Sequence, residues 1–72
     1  MTVRVDRRKL FEARYLKGLS QNALAVKAGV SNLTVANIEN GLRTPVPSSI
    51  RRVCEALDLR VEDIIEVVET VR

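Results

Sequence analysis

The 72-residue sequence contains no histidine and no tryptophan, and only one cysteine, Cys54. Those absences remove most of the groups with which a small protein does covalent chemistry. Ser-His and Cys-His nucleophile systems have no base to draw on, and a zinc site within one chain has too few ligands. A lone cysteine forbids an internal disulfide, which fits a reducing cytosol. No apolar run approaches the length of a membrane span, and the N-terminus lacks the apolar stretch of a signal peptide. A chain of this length has room for one domain with a single core, residues 1–72, and none for a cleft between subdomains. The expectation is a cytoplasmic, non-enzymatic protein with no metal and no cofactor.

Charge is present but uneven. The formal net charge is +3. Residues 1–53 hold ten basic side chains against three acidic ones, whereas residues 54–72 hold two basic against six acidic. A basic first three-quarters followed by an acidic tail points to a face for a polyanion and a separate solvated or partner-facing end; ordinary surface charge would look the same on this evidence alone.

Glycine and proline are scarce too, so each reads as punctuation. Asp6 caps a first helix, Arg7 to Lys17, which Gly18 ends. Ser20 caps a second, Gln21 to Ala28, with Leu24, Ala25 and Ala28 apolar, and Gly29 stops it. Val30 is the buried residue of the turn. Ser31 caps a third helix, Asn32 to Asn40, whose Val35 and Ile38 point inward and which Gly41 closes. Pro47 suits the first turn of a fourth helix, Pro47 to Leu57, with Ile50, Val53, Cys54 and Leu57 inward. Asp58 or Arg60 opens a fifth helical segment, with Val61, Ile64, Ile65, Val68 and Val71 on one stripe. The ends admit a second reading: "TVRV" and "EVVETV" are β-branched enough to pair as strands. Over Glu66–Arg72 the helical spacing of the stripe favours helix.

An all-α fold of five helices, two of them joined by a short turn containing glycine, is the physical specification of a helix-turn-helix. Small Ala25 lets the two helices approach, and Gly29 allows the sharp turn. The third helix keeps Asn32, Leu33, Ala36 and Asn37 outward, with Thr34 at the edge. That face is thin and free of bulky acids.

"LSQNALAVKAGVSNLTVANIENGLRTP" resembles the phage repressor/Cro family of helix-turn-helix regulators. The resemblance runs from Arg14 through Gln21, Leu24-Ala25, Gly29-Val30, Ser31, Val35, Ile38-Glu39-Asn40-Gly41, Arg43 and Pro45 to Ala56-Leu57 and "LRVEDII". It covers about residues 7 to 65, with the helix-turn-helix at 20–40 and residues 66–72 as a C-terminal extension. It implies a lambda-repressor-like fold in which helix 2 lies across phosphates and helix 3 enters the major groove. By that resemblance Asn32, Leu33 and Asn37, with Thr34 beside them, read bases, while Ser20, Gln21, Asn22, Ser31, Asn40 and Arg43 contact phosphate. Arg14 and Glu39 match the family's structural ion pair. Val46 departs from the family at the cap of helix 4, where relatives carry Ser, Thr or Asp and where Thr44 could cap instead. Leu42 replaces a basic residue.

Other residues have plainer readings. Phe11 and Tyr15, the only aromatics, are core or packing residues rather than stacking platforms for bases. Cys54 is inert packing. Arg51 and Arg52 are solvated, with a place near the DNA backbone as the alternative for Arg51. Arg4, Arg7 and Arg8 form either a flexible arm touching phosphate or a solvated terminus. The implied function is sequence-specific binding of double-stranded DNA by a stand-alone transcriptional regulator, a repressor. It would work as a homodimer on an inverted repeat, with a seam at Ile65, Val68 and Val71 and no second domain following. The alternative is an antitoxin or other protein-interaction module of the same fold, holding a protein partner through its acidic tail.

Overall fold

The computed structural model describes residues 2–41 and 46–68. In chain order these form β1 (Thr2–Val5), α1 (Arg7–Leu16), α2 (Gln21–Ala28), α3 (Asn32–Asn40), α4 (Pro47–Ala56), α5 (Val61–Ile64) and β2 (Ile65–Val68). The five expected helices are present, and α2 and α3 have the expected bounds.

Local chemistry accounts for those bounds. The Oγ of Ser20 accepts from the Ala23 amide at 3.0 Å, and the Oγ of Ser31 accepts from the Thr34 amide at 3.1 Å. Each satisfies a helix-start donor that has no partner inside the helix. At the other end of α2, Gly29 has φ 72°, a left-handed conformation that side chains resist. The amides of Gly29 and Val30 then turn back onto the carbonyls of Val26 and Ala25. Val46, at the start of α4, makes no side-chain cap bond, and Pro47 supplies the helical φ instead. Thr44, the alternative cap, lies outside the described residues.

The core is formed where α2, α3 and α4 meet and is closed by α1 and α5. Leu10, Leu24, Ala25, Val35, Ile38, Ile50, Val53, Cys54, Leu57 and Ile64 are all buried. Val30 is half-buried, packed on the edge of this cluster rather than within it. Burial pushes the Cys54 thiol from 9.0 up to about 11, with the charge of Asp63 adding to the shift. A thiol so held is un-ionised and inert near neutral pH.

Two expectations need correction. The helical stripe through Ile65, Val68 and Val71 is not formed, because the helix ends at Ile64 and Ile65–Val68 is a strand. It pairs antiparallel with Thr2–Val5 in the register Thr2↔Val68, Val3↔Val67, Arg4↔Glu66, Val5↔Ile65. A β-branched run satisfies either period. A partner strand from the other end of the chain decides for extended backbone, because it takes up ladder hydrogen bonds that one more helical turn would leave to water. Val71 lies outside the described residues. The second correction is narrower: Phe11 and Tyr15 are 48% and 65% exposed, which excludes the core half of the core-or-packing reading and leaves surface packing. Their rings lie 5.8 Å apart on the surface of α1.

Candidate nucleic-acid interface

The helix-turn-helix is fixed from behind by one partly buried polar network. Arg14, on α1, makes a forked ion pair with Glu39 on α3, Nε to Oε2 at 2.6 Å and Nη2 to Oε1 at 2.9 Å. The same guanidinium donates through Nη1 to the Leu19 carbonyl at 2.8 Å, in the turn that leads into α2. Gln21, the first residue of α2, donates through Nε2 to Glu39 Oε1 at 3.2 Å. The side chains of Arg14 and Glu39 are only 12% and 6% exposed. A fork geometry of this kind fixes direction as well as distance. It therefore locks α1, the N-terminus of α2 and the last turn of α3 into one unit. The Arg14 guanidinium also lies over the Phe11 ring, 5.2 Å from its centre, which gives the exposed aromatic a packing role.

With Val35 and Ile38 turned into the core, α3 presents its other side outward. Asn32 and Leu33 are exposed, Leu33 at 69%. Thr34, Ala36 and Asn37 are half-buried, and Asn40 is exposed at the end. Exposure alone does not single Leu33 out, since Leu16 and Val26 are more open still; its place between the amides on the outer side of α3 does. Thr34 differs from the rest: its hydroxyl is 2.8 Å from the Ser31 hydroxyl, so it is already engaged in the cap. Ser20 and Asn22 are exposed at the start of α2, where free amides and the positive dipole end form a ready anion site. Arg43 lies outside the described residues.

Two arginines act in ways the sequence did not disclose. Arg52, expected to be solvated, donates to the Gly29 carbonyl at 3.2 Å and so ties α4 to the turn between α2 and α3. Arg7 donates to the Asn40 carbonyl at 3.0 Å. Arg4 lies in β1 and Arg8 pairs with Glu12 at 3.2 Å, so residues 4–8 are not a free arm. A guanidinium bonded to a carbonyl leaves no pattern in sequence. The one signal was the run Arg7-Arg8-Lys9 at a helix start, where the dipole disfavours cations. Among the described residues no group of potential metal ligands is assembled, and no helix is long and apolar enough to cross a membrane.

Known proteins share this fold. The helix-turn-helix family profile matches residues 10–64. The uncharacterised HTH-type transcriptional regulator RghRB of Bacillus subtilis is 39% identical over 57 residues, covering 78% of this chain and 41% of that protein. The chain thus spans less than half the length of that curated relative. The N-terminal DNA-binding domain of SinR from Bacillus subtilis superposes with a TM-score of 0.73 at 32% identity, covering 78% of this chain and 83% of that one. SinR has also been solved in complex with DNA (TM-score 0.71, 32% identity, 78% and 90% covered) and in a complex with SinI (0.75, 30%, 81% and 57%). The restriction-modification controller protein C.AhdI from Aeromonas hydrophila superposes at 0.73 with 33% identity, covering 79% and 86%.

Proposed function

This chain belongs to the Cro/C1-type helix-turn-helix family, and from that premise we propose that it is a small transcriptional regulator that binds double-stranded DNA sequence-specifically, as a repressor. The observation that carries the reading is the outer face of α3: Asn32, Leu33 and Asn37 on a helix whose opposite face is buried and whose last turn is locked by Glu39.

In the groove the Asn32 amide pairs with adenine N6 and N7, Leu33 packs on a thymine methyl, and Asn37 reaches the next base or a phosphate one turn on. Thr34, tied to Ser31, contributes at the edge. Ser20, Gln21 and Asn22 take a phosphate on the N-terminus of α2, and Ser31 takes one at the start of α3. Asn40 and Arg43 follow the backbone beyond it. Arg14 and Glu39 hold the frame without touching DNA.

One recognition helix makes few contacts, so two copies occupy an inverted repeat with half-sites about one DNA turn (~34 Å) apart. Their seam lies at the terminal ribbon, where Ile65 and Val68 stand in β2. The domain works in the cytoplasm, on the nucleoid, without enzymatic activity. A second reading, a protein partner held through the acidic C-terminal part, draws on the SinR–SinI complex of a structural neighbour.

The test is a selection from random duplex DNA at controlled salt, followed by titration of the recovered site. Recovery of an inverted repeat supports the reading, whereas weak binding with no enriched sequence sinks it. Asn32→Ala should relax base preference and cost about 1–3 kcal/mol at the selected site, whereas Gln21→Ala should weaken all DNA alike. Equal, sequence-blind losses in both variants would refute the division of roles.

A further inference from the structure

The first turn of α1 carries Arg7, Arg8 and Lys9 and no acidic residue. Positive charge at a helix N-terminus opposes the macrodipole, so three cations there need a reason. Two of them have one nearby. Arg8 is paired with Glu12, and Lys9 Nζ donates to the Asp63 carbonyl at 3.3 Å. Among the described residues no carboxylate pairs with Arg7.

Arg7 instead reaches across to the far end of α3. Its Nη1 donates to the Asn40 carbonyl, and its side chain lies against Gly41, where a Cβ would come within 3.0 Å of Arg7 Cδ. The helix start that carries it is pinned. The Asp6 amide donates to the Ile64 carbonyl at 2.6 Å, the Asp6 carboxylate accepts from the Lys9 amide at 3.1 Å, and β1 is paired with β2 immediately before. Arg7 thus places a cation at the C-terminal, negative end of the helix proposed to enter the groove. That end would otherwise repel the phosphates beside it. The Asn40 carbonyl uses one of five guanidinium N–H donors, and the planar fork suits a phosphate with those remaining.

We propose that Arg7 is a phosphate-binding and positioning residue of the DNA interface, holding the last carbonyl of α3 with one nitrogen and taking the DNA phosphate next to that helix end with the others. The inference rests on the DNA-binding reading above and assigns a contact from outside the helix-turn-helix itself.

The experiment is titration of the selected duplex over a range of salt with wild type, Arg7→Gln and Arg7→Lys, each held well below its own melting temperature. One lost phosphate contact lowers the slope of log K against log[salt] by about 0.9. Arg7→Gln should show that drop with base preference unchanged, and Arg7→Lys, which keeps the charge, should retain the wild-type slope. A wild-type slope in Arg7→Gln would overturn the proposal even if its melting temperature fell, because a role confined to the Asn40 carbonyl does not release counterions. Absence of salt-dependent duplex binding in the wild type would instead overturn the DNA-binding reading itself.

Discussion

The α2–α3 pair and the α4–α5 pair are each two helices joined through one left-handed residue and buried on one side, yet their starts and turns are held differently. Between α2 and α3 that residue is Gly29, both helices start on a serine cap, and the turn carbonyl is held by Arg52. Between α4 and α5 it is Asp58, at φ 56°, and α4 starts with no side-chain cap at all. Burial does not separate the pairs: Ile50, Val53, Cys54, Ala56, Leu57 and Ile64 are buried along the second, as Leu24, Ala25, Ala28, Val35 and Ile38 are along the first. The second has one side-chain cap, Asp63 Oδ2 accepting from the Arg60 amide at 3.2 Å. Hydrogen bonds to backbone ends fix a helix without using its outer face. The pair proposed to meet DNA is held in this way, and its outward side chains are left uncommitted. The supporting pair has no such face to protect.

The largest expected effect tests whether the first pair depends on its polar lock. Glu39→Ala strands the Arg14 guanidinium and the Gln21 amide, and should cost about 3 kcal/mol in urea unfolding. The double change Arg14→Met with Glu39→Leu should recover much of that stability while DNA affinity stays low, because nothing then aligns Gln21. Recovery of affinity along with stability would show that the lock contributes folding energy only.

Next comes the turn residue. Gly29→Ala should cost about 1–2 kcal/mol from its left-handed backbone alone, since the added Cβ meets nothing nearer than Arg52 Nη1 at 3.7 Å. Asp58→Gly, measured against Asp58→Ala so that both lack the Lys17 ion pair, should have the opposite sign and melt at the higher temperature. The same sign in both would mean that the two turns are not comparable.

Caps come third. Ser31→Ala should destabilise by about 1 kcal/mol, whereas Val46→Ser should stabilise by about half to one, since it supplies the cap that α4 lacks. Thermal unfolding of both variants measures the contrast directly.

The smallest effect is one of pH. Lys17 Nζ, 2.8 Å from Asp58 Oδ2, holds that carboxyl below its ordinary 3.8, first by the hydrogen bond and then by charge. A lowered folded value gives stability that is full above 3.8 and is lost as the pH falls through the folded value. Asp58→Asn should therefore narrow the gap to wild type as the pH drops below about 4. A gap that stays constant through that range would remove Lys17 from the account.

The same contrast explains what could be read from sequence. Ser20, Gly29, Ser31 and Gly41 act within a few residues of themselves, so α2 and α3 were legible to the residue. The strand Ile65–Val68 was visible only as the less favoured alternative, because its Val-rich run suits either period and its partner is Thr2–Val5, at the other end of the chain. Arg7 and Arg52 were missed for a related reason: their acceptors are carbonyls, which every residue possesses. The exposure of Phe11 and Tyr15 was missed because position on a helix does not say which neighbour covers it. The outward row Asn32, Leu33 and Asn37 was visible, since Val35 and Ile38 fix which side of α3 is inside.

The pairing of Thr2 with Val68 has a consequence for how the molecule assembles. It closes nearly all of the described chain into one loop, so its contacts have the largest sequence separation in the fold and the highest closure entropy. The helices can condense from neighbours close in sequence, whereas the ribbon must wait until they have brought its two strands within reach. Its amide protons therefore serve as a clock for the last step of folding, slow to become protected in refolding and early to exchange when the native state begins to open.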